Sequence, residues 1–375
     1  MDFKMKKSIV VGIVVACVVL IGLGMFGLSQ EYAGVRGATA ITSYIPWGLY
    51  IALFLFFEAT GAGALLFAAL GKLERTTRLK LAVAGVVCAA CAGLSILPDL
   101  GRPLGMWRLF FAPNVTSPLL LDVWLLCATL VFGLVLIIGL RADKAMLAKV
   151  GSIGSALFAV LLPLGTAVMF CSIPGKLGWE STAEIGITLV QVVLAGVALV
   201  LLMKGAAEGP TRTLSKAAVA LIVANAAIML GEALLLFYRD DFALSSLEAV
   251  MFGTYAPLFW LQGIVGMAAP ALMLALRKAP SLAAGLALVG ILVGKFVYVV
   301  RGSIYPTYAE LSEGAFIPML QPSTGPQMIP TYIPTLNEWL VVAAAGALAV
   351  LLLTVAYNSK LVPADAATNA EKAVK

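Results

Sequence analysis

Ten stretches of this chain are almost wholly apolar, and its polar and charged residues gather between them. Their approximate spans are 8–28, 46–70, 79–97, 118–140, 147–170, 184–203, 214–237, 249–276, 281–300 and 338–357. Runs of this length can cross a bilayer as helices. They are continuous rather than alternating, which speaks against a β-barrel. The expected fold class is all-α: a polytopic integral membrane protein of about ten transmembrane helices. The first run follows Lys4, Lys6 and Lys7 and is longer than the apolar core of a usual signal peptide, so it is expected to remain as a helix.

Composition agrees with the pattern. The chain has 375 residues, 62% hydrophobic and 12% charged, about half the charged share of a soluble domain. The net charge of +6 therefore points to loops facing anionic lipid, not to nucleic acid. With the N-terminus inside, alternating loops place 18 Lys and Arg residues on the inner side. Six lie outside: Arg36, Arg102, Arg108, Lys176, Arg239 and Arg301. This bias supports ten helices with both termini cytoplasmic.

The inner connections are short. The outer ones include 98–117 and a Pro- and Tyr-rich stretch, 301–337. Long loops in a compact protein are usually functional or disordered. Two on one side suggest a docking surface there, although variable surface loops would look the same.

Histidine is absent. That argues against a membrane b-type haem, which commonly needs axial His, and excludes His-based zinc sites. It also removes the base of a serine triad. Cys88 and Cys91 form a CxxC inside an apolar run, where packing is the expected role. Cys17, Cys127 and Cys171 are scattered, so no set of four can hold an iron–sulfur cluster.

Ionisable residues inside membrane spans are costly and are functional candidates by default. Glu58 lies about 16 Å along its helix from Trp47, near mid-membrane. It has no evident basic partner, so a neutral carboxyl is expected there. Asp122 falls about one turn into its helix. Glu232 and Lys295, both near outer helix ends, are expected to pair. Gln191, Asn225 and Gln262 suit interhelical hydrogen bonds.

The 98–117 connection opens with Asp99-Leu-Gly-Arg-Pro103 and closes with Ser117-Pro118. Gly101 permits a tight turn, and Pro103 favours an extended Arg102. Asp99 can accept hydrogen bonds from Arg102 or from free backbone donors. Trp47, Trp107 and Trp124 suit the interfacial belt.

These motifs resemble the NrfD/PsrC family, the haem-free membrane subunits of quinone-linked oxidoreductases such as polysulfide reductase. The matching residues are Pro46-Trp47-Gly48 leading to Glu58-Ala-Thr-Gly-Ala-Gly63, then Asp99-Leu-Gly-Arg-Pro103 and Ser117-Pro118. Pro270 and Tyr332-Ile-Pro-Thr-Leu-Asn-Glu-Trp339 resemble the ten-helix branch of the family.

The resemblance implies two four-helix bundles with two flanking helices. The expected divisions are 1–45 (flanking helix and outer loop), 46–170 (first bundle, with the quinone site), 171–300 (second bundle), 301–337 (outer loop) and 338–375 (flanking helix and cytoplasmic tail). It also implies a bacterial or archaeal cytoplasmic membrane. The expected partners are an iron–sulfur, ferredoxin-like subunit and a catalytic subunit, of molybdopterin type in many relatives, on the outer face.

Quinone or menaquinone would be bound as substrate, with no haem or cluster in this chain. The expected function is exchange of electrons and protons between quinone and the iron–sulfur partner, with proton translocation a further possibility. A structural anchor and a secondary transporter are the alternatives. The expected catalytic residues are Glu58 and Asp122. The residues expected to contact quinone or partner are Tyr50, Asp99, Arg102, Trp107 and Trp124. Relatives carry a quinone-binding His where this chain has Leu53 or its neighbours, so their quinone ligands do not transfer directly.

Overall fold

The computed structural model describes residues 6–42, 45–100, 103–111, 116–173, 176, 178–204, 210–239, 243–304, 331–359 and 361. Gly101, Arg102 and most of the 301–337 loop lie outside the described residues. Among the described residues the structure is helical without strands. Ten of its helices are long and apolar enough to cross a membrane.

The helices are α1 (Lys7–Tyr32), α2 (Leu49–Leu70), α3 (Arg75–Ile96), α4 (Pro118–Arg141), α5 (Ala145–Cys171) and α6 (Ala183–Lys204). They continue with α7 (Pro210–Arg239), α8 (Ala243–Phe252), α9 (Ala256–Ala275), α10 (Pro280–Arg301) and α11 (Leu336–Asn358). Helix α8 is short, and a single further turn, Arg108–Phe111, precedes α4; the other ten helices are the candidate spans.

Helix α2 is the hub. It packs against α3 and α5 on one side and against α6 and α10 on the other. Helices α2, α3, α4 and α5 form one group, closed by the α3–α4 and α4–α5 contacts. Helices α6, α7, α9 and α10 form a second group. Helix α1 pairs with α11 along the outside of α2 and α3.

Water-driven burial is weak inside a bilayer, so helices associate through close packing of small residues. The α2–α6 crossing shows this. A methyl group at Gly63 would lie 2.3 Å from the Val192 carbonyl oxygen, and one at Gly196 would lie 2.6 Å from the Gly63 oxygen. The α9–α10 crossing uses Gly266 against Gly290 in the same way, with a Cβ–Cα approach of 2.3 Å. Any side chain at these crossings would force the backbones apart.

The eighth apolar run departs from the expected single helix over 249–276. It is cut at Gly253–Tyr255, so Val250 to Phe252 end α8 and a new helix starts at Ala256. Pro257 stands in the first turn of α9, where a missing N–H costs nothing. Further along, Gln262–Ala268 form a π turn just ahead of Pro270. Pro270 brings no N–H to the helical ladder, and the widened turn accommodates that loss.

The approach to α11 is held by its own cap. Thr335 and Glu338 form a reciprocal capping box: Glu338 N–H donates to Thr335 Oγ1 at 3.2 Å, and Thr335 N–H donates to Glu338 Oε2 at 2.6 Å. The second carboxylate oxygen of Glu338 accepts from Thr39 Oγ1 at 2.9 Å, tying the α1–α2 connection to α11. Tyr332 is buried just before this cap. Its hydroxyl accepts the Leu49 N–H at the start of α2, and its backbone exchanges two hydrogen bonds with the Tyr255 hydroxyl. Burial and the nearby Glu338 carboxylate push the Tyr332 phenol well above its ordinary range, so it stays protonated.

Candidate functional site

Glu58 and Asp122 meet inside the first helical group. Glu58 projects from α2 and is 2% exposed; Asp122 projects from the first turns of α4 and is 6% exposed. Helix α5 supplies the residue between them. Thr166 Oγ1 donates to Glu58 Oε1 at 2.6 Å and also lies beside the Asp122 carboxyl. Asp122 Oδ1 is buried and has no hydrogen-bond partner among the described residues. It sits against Gly165, where an added Cβ would be 3.1 Å from that oxygen. Three helices thus bring two carboxyls to one hydroxyl. Thr166 can also donate to its own helix, with the Leu162 carbonyl at 3.2 Å, so the hydroxyl has two acceptors within reach.

A second polar patch lies at the end of α2 that faces the 97–117 connection. Tyr50 is buried there and donates its hydroxyl to Glu31 of α1. It is eight residues from Glu58, or about 12 Å along the helix. Tyr32 donates to the Leu97 carbonyl at 3.2 Å. Asp99 lies in a short 3-10 turn, Leu97–Leu100, and both of its carboxylate oxygens are buried without a partner among the described residues. Tyr50 and Asp99 therefore belong to this end patch and do not touch the Glu58–Asp122 pair directly. The expected partner of Asp99, Arg102, lies outside the described residues.

The two tryptophans lie elsewhere. Trp107 is exposed, packs edge-on against Phe111 and carries the Arg108 guanidinium 5.7 Å above its ring. Trp124 is exposed on the side of α4 away from Asp122. A tryptophan that the sequence did not single out is better enclosed: Trp179 is buried against Trp47 and Phe170, and its indole N–H reaches the Tyr298 and Val299 carbonyls at 3.2 Å.

The second group holds two buried ion pairs, and they correct one expectation. Lys295 pairs with Glu184 at 2.6 Å and with the Thr188 hydroxyl at 2.7 Å, not with Glu232. Glu232 pairs with Arg301 at 2.7 Å. Loop counting puts Arg301 outside, but it is the buried last residue of α10. It is six residues beyond Lys295, about 9 Å further along the axis, and so reaches a different carboxylate.

Cys88 and Cys91 are free, buried thiols in the apolar core. Among the described residues no group of three His, Cys, Asp or Glu side chains is placed to hold a metal ion.

Fold and site define a multi-pass helical membrane protein with paired carboxyls buried between its helices. Residues 38–306 match the polysulphide reductase NrfD family, and the chain belongs to that family. Two relatives add detail. A candidate membrane subunit of a dimethyl sulfoxide reductase from Halobacterium salinarum is 32% identical over 131 residues, covering 34% of this chain but only 28% of the relative. A selenate reductase subunit from Mesobacillus selenatarsenatis is 23% identical over 383 residues, covering 87% of each chain.

Proposed function

We propose that this chain is the membrane subunit of a multi-subunit reductase complex, where it exchanges electrons and protons between a membrane quinone and an iron–sulfur partner. The observation that carries this reading is the Glu58–Thr166–Asp122 constellation. Quinol oxidation releases two electrons and two protons. The electrons go to a cluster in the partner, and the protons need acceptors held in the membrane interior.

The hydroxyl between the carboxyls suits that task. A protonated Asp122 can donate to Thr166 Oγ1 while Thr166 donates to an ionised Glu58. A concerted shift along these bonds carries one proton from Asp122 to Glu58 without moving a heavy atom. Buried carboxyls with a positioned hydroxyl can act as acid and base in turn. Membrane interiors rarely hold such groups without a functional reason.

The partner surface is assigned to the side carrying the 97–117 and 301–337 connections. Support comes from the Asp99 carboxylate, which has no partner among the described residues, and the exposed Trp107–Arg108 pair. Arg102 is proposed to belong to the same surface. The names of the two relatives, one from a dimethyl sulfoxide reductase and one from a selenate reductase, support a complex with a separate catalytic protein, of molybdopterin type in the family resemblance. The proposed setting is a bacterial or archaeal cytoplasmic membrane with both termini on its inner side. Residues 46–170 and 171–300 are assigned to the two bundles.

The test is gentle extraction of the tagged full chain from its native membrane. An iron–sulfur protein should co-purify, and the preparation should oxidise or reduce a quinol analogue. A lone chain that moves a solute across liposomes would instead favour a secondary transporter.

A further inference from the structure

The second helical group contains a cavity of about 270 Å³, walled by α6, α7, α8, α9 and α10. Neither Glu58 nor Asp122 lines it. One water molecule needs roughly 10–15 Å³ of such space, so a chain of waters fits.

Two carboxylates in the wall select water. Glu184 and Glu232 both line the cavity, with 9% and 11% of their side chains open. Among the described residues each bonds through Oε1 alone: Glu184 accepts from Lys295 and Thr188, and Glu232 accepts from Arg301. Oε2 of each is left to face the cavity. An ionised oxygen turned toward apolar surroundings is costly, and a donor that reaches it removes the cost. The charges are already balanced in pairs, so the donor that fits is neutral and small. Apolar cavities of moderate size stay dry, whereas polar ones with room hold water.

Depth along the helices sets where this water enters and where it stops. Glu232 pairs with Arg301, the last residue of α10, at the end that carries the 301–337 connection, assigned above as outer. Leu230 and Trp260 line the cavity and are 60% and 46% exposed. Trp260 is four residues into α9, about 6 Å from its outer start. At that depth the bilayer gives way to its hydrated interfacial zone. In the other direction lies a second cavity of about 10 Å³ between Gln191, Asn225 and Gln262, room for one water at most. Gln191 and Gln262 belong to both walls. Asn225 is seven residues before Glu232 on α7, about 10 Å deeper. A buried apolar cluster that includes Leu194, Leu201, Ile222 and Leu274 closes the group beyond it. The π turn of α9 begins at Gln262, where the two cavities meet, and single π turns inside helices are frequent at functional sites.

We propose that this cavity is a water-filled recess, open at the outer ends of α7 and α9 and closed at mid-membrane, that brings solvent to the buried Glu184–Lys295 pair. Water beside Glu184 makes that pair a point where protons can exchange with the outer side. The recess does not depend on the quinone reading, and no transfer to Glu58 is required.

Cysteine accessibility tests it, in the full chain in right-side-out and inverted native-membrane vesicles. The probe is trimethylammonium-ethyl methanethiosulfonate, which does not cross membranes. The cysteine thiolate attacks its sulfenyl sulfur, a mixed disulfide forms and methanesulfinate leaves. The reactive species is the thiolate, which apolar surroundings disfavour, so the rate reports hydration. Met229→Cys and Ala233→Cys place thiols in the cavity wall. Val223→Cys, on the same helix and 58% exposed, places one against lipid, and Tyr238→Cys, 88% exposed at the end of α7, marks the outer side. Peptide masses separate each from the native cysteines. The two wall cysteines should react at least about tenfold faster than Val223→Cys, from the side that modifies Tyr238→Cys. Ala233 is one turn nearer the mouth than Met229, so adding Ala233→Phe should slow the Met229→Cys reaction. Wall cysteines as slow as Val223→Cys would mean that lipid tails fill the cavity, and that would overturn the proposal. Reaction only from the opposite side, or a Met229→Cys rate indifferent to Ala233→Phe, would overturn it as well.

Discussion

Thr166 of α5 donates its hydroxyl to Glu58 of α2 across 2.6 Å, and the same residue stands beside Asp122 of α4. One small side chain therefore connects two carboxyls on different helices. Thr166→Val keeps the shape and removes the connection. Hydrogen bonds between membrane helices average about 0.6 kcal/mol, so thermal stability should fall only slightly. Quinone-linked turnover should fall at least about tenfold if the hydroxyl passes protons, and Thr166→Ser should restore most of it. A turnover loss no larger than the stability loss would reduce Thr166 to a packing residue.

The site was partly legible in the sequence. Glu58 and Asp122 stand out because carboxylates interrupt apolar runs, and their depth follows from helical rise alone. Thr166 carries no such signal. A threonine is ordinary in a membrane helix, and its role depends on how α5 rotates against α2 and α4. The ion pairs failed for the same reason. Depth along the chain suggested Glu232 for Lys295, but rotation about the helix axis gives Lys295 to Glu184. The break at Gly253–Tyr255 was hidden because an apolar run does not by itself reveal where the backbone turns. The helices themselves are legible, since a bilayer-length apolar run has few other solutions.

Lys295 should be costly to remove alone. Lys295→Met leaves Glu184 buried without its cation, and breaking a buried pair typically costs about 3–5 kcal/mol. The double variant Lys295→Met with Glu184→Leu should recover most of that loss. Thermal unfolding in one detergent, compared across the two variants and the wild type, measures the difference. A double variant as unstable as the single one would show that the pair is not the source of the cost.

Gly48 should not tolerate a methyl group. Its Cβ would lie 2.3 Å from Cζ of Tyr332, and that ring is held through Leu49 and Tyr255 at 2.7–2.9 Å. Gly48→Ala should destabilise the chain by about 1–3 kcal/mol, the usual range for overpacking. Gly48→Ala combined with Tyr332→Phe should not recover it, because the clash involves the ring as well as the hydroxyl. An unchanged melting temperature for Gly48→Ala would mean that the α11 approach yields freely.

Topology follows from the distribution of Lys and Arg. Reporter fusions after Lys360 should report a cytoplasmic C-terminus, and fusions within 310–325 should report the opposite side. A periplasmic signal after Lys360 would contradict the ten-span arrangement with both ends inside.

We infer that Glu58 carries a proton for the quinone reaction. The direct measurement is Glu58→Gln in the intact complex in liposomes, following quinol-analogue turnover together with an enclosed pH indicator. Glutamine keeps the size and can still accept from Thr166, but it cannot take up and release a proton at neutral pH. The expected result is normal assembly with turnover, or its coupled proton movement, reduced at least about tenfold, beyond what loss of a single hydrogen bond would give. Wild-type values on both readouts would contradict the account.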